Sequence, residues 1–458
     1  MTTKQWAKGE VAEALRNLLE DIAGVTVDVL DHRASVSAWE QFRGPGYPHP
    51  QLVQDGDDLI AFLYKHGVGR VAHALRVSFS VGVSTNDAEF CRCLVYTFLS
   101  DVENAYGTAS WAILSASRVA RAIAMYTRMP MAFDWFRLVE DSMSLTYEGE
   151  PFRYIAVFLD RIDKIAKLDG GPFIALAEPL DVEDALLRQK WTRAVLGSKP
   201  LALVIKTAKK KGKQVVGLLN CANLSNNRPT VMYAPHESLL PLQSLLGERN
   251  MAIMASSRGD IFVMLGTGMV FQKSQGKWCY LNYERVHIVL SRLLAGDGVD
   301  PVGKWNFIVC VLQMSLDLSF ERHGALIAVP DRDDELGLLI PDSADPARPN
   351  RTLRECIVGL NVLDGATRNL IAGAATVDGA IVLSKQGNVL DVACMVPRPS
   401  QEKLLTVIGT NTGRTFEGAR STAAWNASIF GTSIKVSEDG PITIYRHGKL
   451  ILHVGVRA

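Results

Sequence analysis

The chain has 458 residues, enough for two to four domains, and it is 48% hydrophobic and 21% charged, as is ordinary for a globular protein. Its formal net charge of +1 provides no global attraction to nucleic acid or to an anionic membrane surface, so we expect neither as a partner. No basic-apolar leader opens the chain and no apolar run reaches about 18 residues. We therefore expect a cytoplasmic protein whose seven cysteines are reduced thiols.

The first 148 residues are predicted to form a mostly helical region. Apolar side chains recur at helical spacing over 3–23, and three further helices are predicted over 58–66, 87–106 and 109–127. Residues 34–57 are rich in Gly, Pro and polar side chains, which predicts a loop. This part of the chain contains no recognisable site motif.

A second domain, of the α/β class, is predicted over residues 149–281. It begins with a helix over 152–167. Six strands are predicted after it: Phe173–Ala177, Leu201–Lys206, Gln214–Asn220, Met251–Ala255, Asp260–Leu265 and Met269–Gln272. The basic run at 206–213 lies between two of these strands, so we interpret it as a solvated hairpin loop.

Residues 282–458 are predicted to form a third domain, also of the α/β class. Its predicted helices cover 283–294, 305–320, 351–361 and 364–373, with a further short helix at 418–424. Its predicted strands are Ala325–Val329, Ala380–Ser384, Val389–Met395, Ser433–Ser437 and Ile442–Tyr445. The order of elements resembles that in 149–281. This similarity fits either a diverged duplication or two unrelated α/β domains that share common turn residues between their elements.

The triplet Asp378-Gly379-Ala380 stands at the mouth of a predicted strand. An aspartate there suits a metal ion or a substrate hydroxyl, and the glycine lets a ligand approach the backbone. The alternative is structural, because Asp-Gly is also a common turn.

Three segments occur in one order in the last third of the chain: GALIAVP at 324–330, DGA at 378–380 and GARSTAA at 418–424, with a VSEDG turn at 436–440. This series resembles the diadenylate cyclase domain of the cyclic di-AMP synthases, over about residues 283–458. The resemblance implies a mixed sheet flanked by helices, with one ATP bound to each domain. Two domains would face each other in a homodimer or higher homo-oligomer and condense two ATP into cyclic di-AMP and two pyrophosphates. Residues 149–281 would fit the sensor domain that some family members carry.

The resemblance also implies roles for individual residues. Asp378 would bind Mg²⁺ or Mn²⁺ or activate the hydroxyl, Glu438 would be a second metal ligand, and Arg420 would hold phosphates. The implied nucleotide-binding positions are Gly379, Ala380, Gly418, Ala419, Arg420, Ser421, Thr422 and Leu363. Leu326 and Leu383 are the other apolar residues expected to pack the adenine. Both are also ordinary core positions.

One motif departs from the family pattern. The family has Gly-Thr-Arg-His-Arg where this chain has Gly-Ala-Arg-Ser-Thr, so one Arg remains, and Ser421 and Thr422 replace a His and an Arg. Loss of a cation beside the phosphates is expected to slow turnover by about 10²- to 10³-fold. The sequence therefore leaves open a cyclase, a nucleotide-binding regulator without turnover, and a structural protein in which Asp-Gly-Ala is only a turn.

Overall fold

The structure is a computed structural model that describes residues 9–42, 51–64, 71–79, 82–104, 115–129, 132–147, 149–151, 153–159, 173–196, 201–208, 212–224, 233–246, 250–256, 258–294, 300–341 and 351–456. These residues form two compact units. Unit 1 takes its described residues from 9–224 and 238–281, and unit 2 from 233–237 and 282–456. Among the described residues, no helix is both long enough and apolar enough to cross a membrane.

Unit 1 contains helices and two large sheets, which confirms the α/β class in general terms. Its helices are α1 (Glu10–Ala23), α2 (His32–Phe42), α3 (Thr85–Asn104), α4 (Ser115–Tyr126), α5 (Ala132–Met143), α6 (Lys190–Leu196) and α7 (Leu240–Leu246), with a π-helical turn at Asp184–Arg188. Its strands are β1 (Thr26–Val29), β2 (Leu52–Asp55), β3 (Asp58–Tyr64), β4 (Val71–Ser78), β5 (Thr146–Tyr147), β6 (Glu150–Pro151), β7 (Tyr154–Phe158), β8 (Phe173–Asp181), β9 (Leu201–Ala208), β10 (Gly212–Asn220), β11 (Met251–Ala255), β12 (Ile261–Leu265), β13 (Val270–Ser274) and β14 (Lys277–Leu281).

The N-terminal part of unit 1 is mostly helical in its described residues, as predicted, but it also contains a four-stranded sheet, in the order β1-β4-β3-β2, which was not predicted. The helix predicted over 58–66 is strand β3. On one face of this strand Phe62 packs edge-to-face against Trp39 of α2, with 5.3 Å between ring centroids, while Leu59 and Leu63 contribute to the main core. Because both faces are buried, the run is continuously apolar and lacks the alternation that would distinguish a strand from a helix.

The predicted loop over 34–57 is also wrong in part, since α2 and β2 occupy its described ends. The helix predicted over 152–167 is wrong in its described part as well. Residues Tyr154–Phe158 form β7, which lies between β11 and β9 in an eight-stranded sheet of order β14-β13-β12-β11-β7-β9-β10-β8. The buried strand is again apolar on both faces, which explains the error. Residues 160–172 lie outside the described part of the chain.

The helices of the N-terminal part and the eight-stranded sheet share one hydrophobic core. Phe90 of α3 lies 4.7 Å from Phe271 of β13 between ring centroids, and Trp135 of α5 stacks on Phe158 of β7. Residues from both sides of the predicted boundary near 148 therefore belong to one compact unit. The change of sequence character near 150 marks a change from helices to strands within that core. The hairpin predicted around 206–213 is present as β9 and β10.

Unit 2 contains a six-stranded mixed sheet with helices packed on it, so the predicted α/β character of this region is confirmed. Its helices are α8 (Tyr283–Leu293), α9 (Pro301–Phe320), α10 (Leu336–Leu339), α11 (Arg351–Ile357), α12 (Gly365–Ala375), α13 (Gln401–Ile408) and α14 (Ala419–Ser428). Its strands are β15 (Ala325–Pro330), β16 (Ala380–Leu383), β17 (Val389–Cys394), β18 (Gly431–Val436), β19 (Ile442–Arg446) and β20 (Lys449–Val454).

The sheet of unit 2 runs in the order β17-β16-β15-β18-β19-β20. Strand β15 is parallel to β16 and antiparallel to β18, and every residue of β15 is buried. Leu326 and Ala328 pack in a cluster with Trp425 of α14, and Ile327 points to the opposite sheet face. Because of this pairing, the start of β15, the start of β16 and the end of β18 lie together where the strands end. This end of the sheet, as distinct from its two outermost strands, is here called the Asp378 edge. The end of β15 and the turn between β19 and β20 lie at the other end, here called the Asp331 edge.

The second and third predicted domains show a similar order of elements, but the corresponding strands β8 and β15 occupy different places in their sheets. Strand β8, with the sequence FIALAEPLD, is an edge strand that pairs with β10, whereas β15, with the sequence ALIAVP, lies in the middle of its sheet beside β16. The shared order of motifs along the chain is therefore not matched by a shared order of strands.

Candidate functional site

Three polar side chains from distant parts of the sequence meet at the Asp378 edge. Asp378 lies two residues before β16, Arg420 lies in the first turn of α14, and Glu438 follows β18. Arg420 Nη1 lies 3.0 Å from Glu438 Oε1, and Arg420 Nη2 lies 3.9 Å from Asp378 Oδ1. The structure thus brings together the two predicted metal ligands and the predicted phosphate-binding cation. One guanidinium with two carboxylates has a net negative charge, so this group suits a polyanion only together with a metal cation that the carboxylates bind.

Gly324 makes room for this arrangement. A Cβ atom at position 324 would lie 2.1 Å from Arg420 Nη1 and 2.8 Å from Glu438 Cγ, closer than atoms in contact can approach. The guanidinium therefore occupies the volume of a missing side chain at the start of the central strand. Gly324 is the first residue of the GALIAVP segment, and no role was predicted for it. Its position directly before a fully buried strand was the available signal.

Gly379 fixes the position of Asp378. Its φ of +118° lies in the region that favours glycine, and a Cβ atom there would lie 2.6 Å from the backbone of Ala393 and Cys394. The following residue, Ala380, is buried and pairs with Cys394. The Asp378 side chain, in contrast, is fully exposed. A rigid backbone turn therefore presents the Asp378 carboxylate to solvent, beside Arg420.

The first turn of α14 supplies backbone donors beside Arg420. Gly418 is the N-cap residue and accepts the backbone N–H groups of Ser421 and Thr422, both at 3.1 Å. The N–H groups of Ala419 and Arg420 precede these and have no acceptor within the helix by its geometry. They therefore suit an anion at this edge, where the resemblance implies that Gly418, Ala419 and Arg420 bind nucleotide.

Ser421 and Thr422, the two positions that depart from the family motif, have different environments. Thr422 Oγ1 accepts the N–H of Phe416 at 3.0 Å, so this hydroxyl closes the loop before α14. Ser421 Oγ accepts a hydrogen bond from Lys435 Nζ at 2.7 Å. Ser421 therefore connects the helix to a cation on β18 that the sequence analysis did not identify.

Lys435 has an environment that disfavours its charge. Burial lowers the pKa of its ammonium group, and the positive charge of Arg420 lowers it further, while Asp439 acts in the opposite direction. Two cations near each other are expected to bind an anion strongly, because the anion relieves their mutual repulsion. The sequence signal for Lys435 was its position between two apolar residues near the end of β18, two residues before the turn that begins at Ser437.

The carboxylates at this edge fit one particular kind of metal site. Within the described ranges, no group of three or more His, Cys, Asp or Glu side chains could hold a metal ion. Asp378 and Glu438 provide two carboxylates that reach the same guanidinium. Mg²⁺ is commonly bound by one or two carboxylates together with substrate phosphates, so these residues fit an ion that arrives with a triphosphate.

The apolar positions predicted to pack a base are not at this edge or are not accessible. Leu326 and Leu383 are fully buried in the core. Leu363 follows Val362, whose N–H donates to the carbonyl of Gly387 in the turn after β16, whereas Asp378 stands before β16. The four-residue strand that separates them is roughly 13 Å long.

Met395 lies closer to the site in the fold. It follows Cys394, the residue paired with Ala380, and its side chain is 76% exposed. A large apolar side chain that is exposed beside Asp378 and Gly379 offers the contact expected for a base. Met395 is the last residue of the strand predicted at Val389–Met395, and no role was predicted for it.

Comparisons with known proteins add little to this description. No family model matches the chain, and no curated protein matches it. One solved structure to which it is similar in part is the crystal structure of the hypothetical membrane spanning protein from Bacillus cereus. The alignment covers 38% of this chain and 78% of that chain at 18% sequence identity, with a TM-score of 0.20. A TM-score this low does not establish a shared fold.

Proposed function

We propose that unit 2 is a diadenylate cyclase-like domain that condenses two ATP molecules into cyclic di-AMP in a face-to-face pair of domains. The observation that supports this most is the meeting of Asp378, Arg420 and Glu438 at one edge of the sheet, since the sequence resemblance assigned all three to one site. The mixed sheet flanked by helices agrees with the fold that the resemblance implies.

In the proposed reaction each ATP is attacked by the 3′-hydroxyl of the other. A bond forms between that oxygen and the α-phosphorus, the bond to the oxygen bridging to the β-phosphorus breaks, and pyrophosphate leaves. The hydroxyl proton is lost to solvent or to Asp378, whose exposed carboxylate is free to accept it. Arg420 and the first amides of α14 hold phosphate oxygens and neutralise charge. A homodimer or higher homo-oligomer follows from this chemistry, because two ATP-loaded domains must face each other.

A divalent ion, Mg²⁺ or Mn²⁺, belongs to this proposal as a cofactor. Asp378 and Glu438 would hold it together with the triphosphate, and it would supply additional neutralisation of phosphate charge. Binding of the ion without nucleotide is expected to be weak, because two exposed carboxylates are few ligands for it. Titration of Mn²⁺, followed by its electron paramagnetic resonance signal with and without ATP, measures this difference directly.

Lys435 supports a catalytic role despite the altered motif. The family pattern places a second cation two residues after the first Arg, where this chain has Thr422. Lys435 donates a hydrogen bond to Ser421. It lies near enough to Arg420 that the charge of Arg420 adds to the effect of burial in lowering the pKa of Lys435. We assign it the charge that Thr422 cannot supply, because phosphoryl transfer depends on neutralisation and positioning more than on which residue carries the charge.

The alternative is a regulator that binds nucleotide without converting it. The observation that favours it is the hydrogen bond from the Phe416 N–H to Thr422 Oγ1. Thr422 therefore holds the loop before α14 closed, and it supplies no positive charge to the phosphates. The double substitution Ser421→His and Thr422→Arg separates the two functions. A cyclase that lacks only cations should gain turnover, and a regulator that lacks other parts of the site should gain none.

The direct test of the proposal is analysis of products by chromatography after incubation with ATP and Mn²⁺. We expect cyclic di-AMP from the wild-type protein and none from Asp378→Asn. Nucleotide binding without any product from the wild type would reject the cyclase and favour the regulator. The absence of both binding and product would leave the Asp-Gly-Ala triplet as a turn.

A further inference from the structure

A cavity of about 670 Å³ lies in unit 2 at the Asp331 edge of the sheet. Its walls come from the end of α13, the loop that follows it, Trp425 of α14 and the turn between β19 and β20. The site described above lies at the opposite end of β15. The cavity is therefore a separate feature, and an inference about it does not depend on the proposed function. Its volume is within the range of pockets that bind cofactors and other small molecules.

The polar part of the cavity wall is basic. Arg414, Arg446, His447 and Lys449 line it, and none of the described residues that line it is Asp or Glu. Arg414 and Lys449 are exposed, and neither side chain forms an ion pair or hydrogen bond with another described residue. Their charges are thus available to a ligand. Such a concentration of positive charge in a concave site selects anions.

Arg446 and His447 are held in position from behind by Asp331. Arg446 Nη2 lies 3.0 Å from Asp331 Oδ1, and the His447 ring Nε2 lies 2.8 Å from Asp331 Oδ2. Lys385 lies 3.3 Å from the same carboxylate. Burial alone would raise the pKa of Asp331, but the hydrogen bond from His447 and the charges of Arg446 and Lys385 lower it. One carboxylate faces two permanent cations, so the group keeps a net positive charge. Arg446 Nη1 also donates to the carbonyl of Leu293 and to Thr432 Oγ1, both at 2.8 Å, so Arg446 acts on a ligand mainly through its charge.

The remaining wall is apolar and closely packed. Val407, Ile408 and Ile451 contribute to it, together with the ring of Trp425. The indole N–H donates to the carbonyl of Gly448 at 2.8 Å, and a Cβ atom at Gly448 would lie 2.9 Å from Ile408 Cγ2. Trp425 and the β19–β20 turn are therefore fixed against each other. A ligand that fills this cavity meets cations on one side and apolar surface on the other.

We propose that this cavity binds a phosphate-bearing small molecule of nucleotide size, with its phosphates at Arg414, Arg446, His447 and Lys449 and its apolar part against Ile408 and Trp425. The charges at the rim account for the anionic part, and the apolar wall and the volume account for a base or a similar ring. The loop that lines the cavity continues to Gly418, so an occupant would contact the segment that leads into α14 and Arg420.

The test uses the full-length protein with the substitution Asp378→Asn, in EDTA, so that metal-dependent binding at the Asp378 edge is suppressed. The probes are ATP, cyclic di-AMP and inorganic pyrophosphate, each titrated by isothermal titration calorimetry. We expect at least one of the two nucleotides to bind, and to bind more tightly than pyrophosphate. Adding Arg414→Glu and Lys449→Glu should weaken that binding at least tenfold, since two charge-assisted contacts become repulsive.

The control is Arg351→Glu, an exposed position in α11, which packs on β17 at the opposite side of the sheet from β20. Arg414→Glu alone makes the same change of net charge and is compared with it. The control should leave the affinity unchanged within about twofold. Failure of all three probes to bind would overturn the inference, as would equal affinity of the charge-reversed and control proteins. Pyrophosphate binding as tight as that of the nucleotides would overturn the role of the apolar wall.

Discussion

Replacing Gly324 with alanine tests the site without removing any group that contacts a substrate. The added methyl group would lie 2.1 Å from Arg420 Nη1 and 2.8 Å from Glu438 Cγ. Carbon and nitrogen atoms in contact lie roughly 3.5 Å apart, so the guanidinium must move by more than about 1 Å. A displacement of about 1 Å in a positioning group reduces the rate by about 10²-fold. We therefore expect kcat/KM for cyclic di-AMP formation to fall by about that factor.

The same substitution should have little effect on folding. The displaced atoms are the ends of two flexible side chains, and Glu438 is mostly exposed. An ion pair of this kind contributes about 0–1 kcal/mol, and alanine in place of glycine stabilises by about 0.4–1 kcal/mol through the unfolded chain. The melting temperature should thus stay within a few degrees of the wild type.

The assay combines product formation with ATP and Mn²⁺, ATP affinity by calorimetry and thermal melting. Gly373→Ala is the control, because a Cβ atom at Gly373 in α12 meets nothing within 4 Å. It should alter neither activity nor affinity. If Gly324→Ala kept wild-type kcat/KM with an unchanged melting temperature, Arg420 would not act from the position that the structure gives it.

Three further outcomes follow from individual residues and from the pairing of domains. Lys435→Met should lower kcat at least tenfold. Lys435→Arg should extend activity to higher pH, because the lowered pKa of Lys435 makes the wild type lose this charge earlier as pH rises. The pH–rate profiles of both variants test these expectations. Asp331→Asn should destabilise the protein by about 1–3 kcal/mol at pH 7, measured by urea unfolding. Since the pKa of Asp331 is lowered by folding, its contribution is present above about pH 4 and declines as pH falls further, so the difference should shrink there. Specific activity should rise with protein concentration at high dilution, measured by product formation across a dilution series, because two domains must face each other.

Most helices and strands of unit 2 were predicted from the sequence, because turn residues mark where many of them begin and end. Gly387 in the turn between β16 and β17 has a φ of +89°, which fits the break between the two strands predicted there. The Asp300-Pro301 signal at the start of α9, where Asp300 is the N-cap, was not used, so the helix predicted from 305 begins four residues too late. The strands predicted at Ala325–Val329 and Ala380–Ser384 agree with β15 and β16 to within one residue. The residues predicted for the site also carried their own signal, since Asp378 and Arg420 lie in motifs.

The errors come from contacts that a sequence does not show. Strands β3 and β7 are apolar on both faces, and their strand character comes from neighbours far along the chain. Lys435 and Met395 lie near Arg420 and Asp378 because of strand pairing, which depends on register and not on local composition. The engagement of Thr422 with Phe416 depends on the conformation of one loop.

The most direct measurement is mass spectrometry of the full-length protein incubated with ATP and Mn²⁺, and separately with 3′-deoxy-ATP and Mn²⁺. We predict one cyclic di-AMP and two pyrophosphates for every two ATP consumed. No cyclic product should form from 3′-deoxy-ATP, although calorimetry should show that it binds, because the attacking hydroxyl is missing. ATP that binds and remains unchanged would contradict the assignment of Asp378, Arg420 and Glu438 to a cyclase.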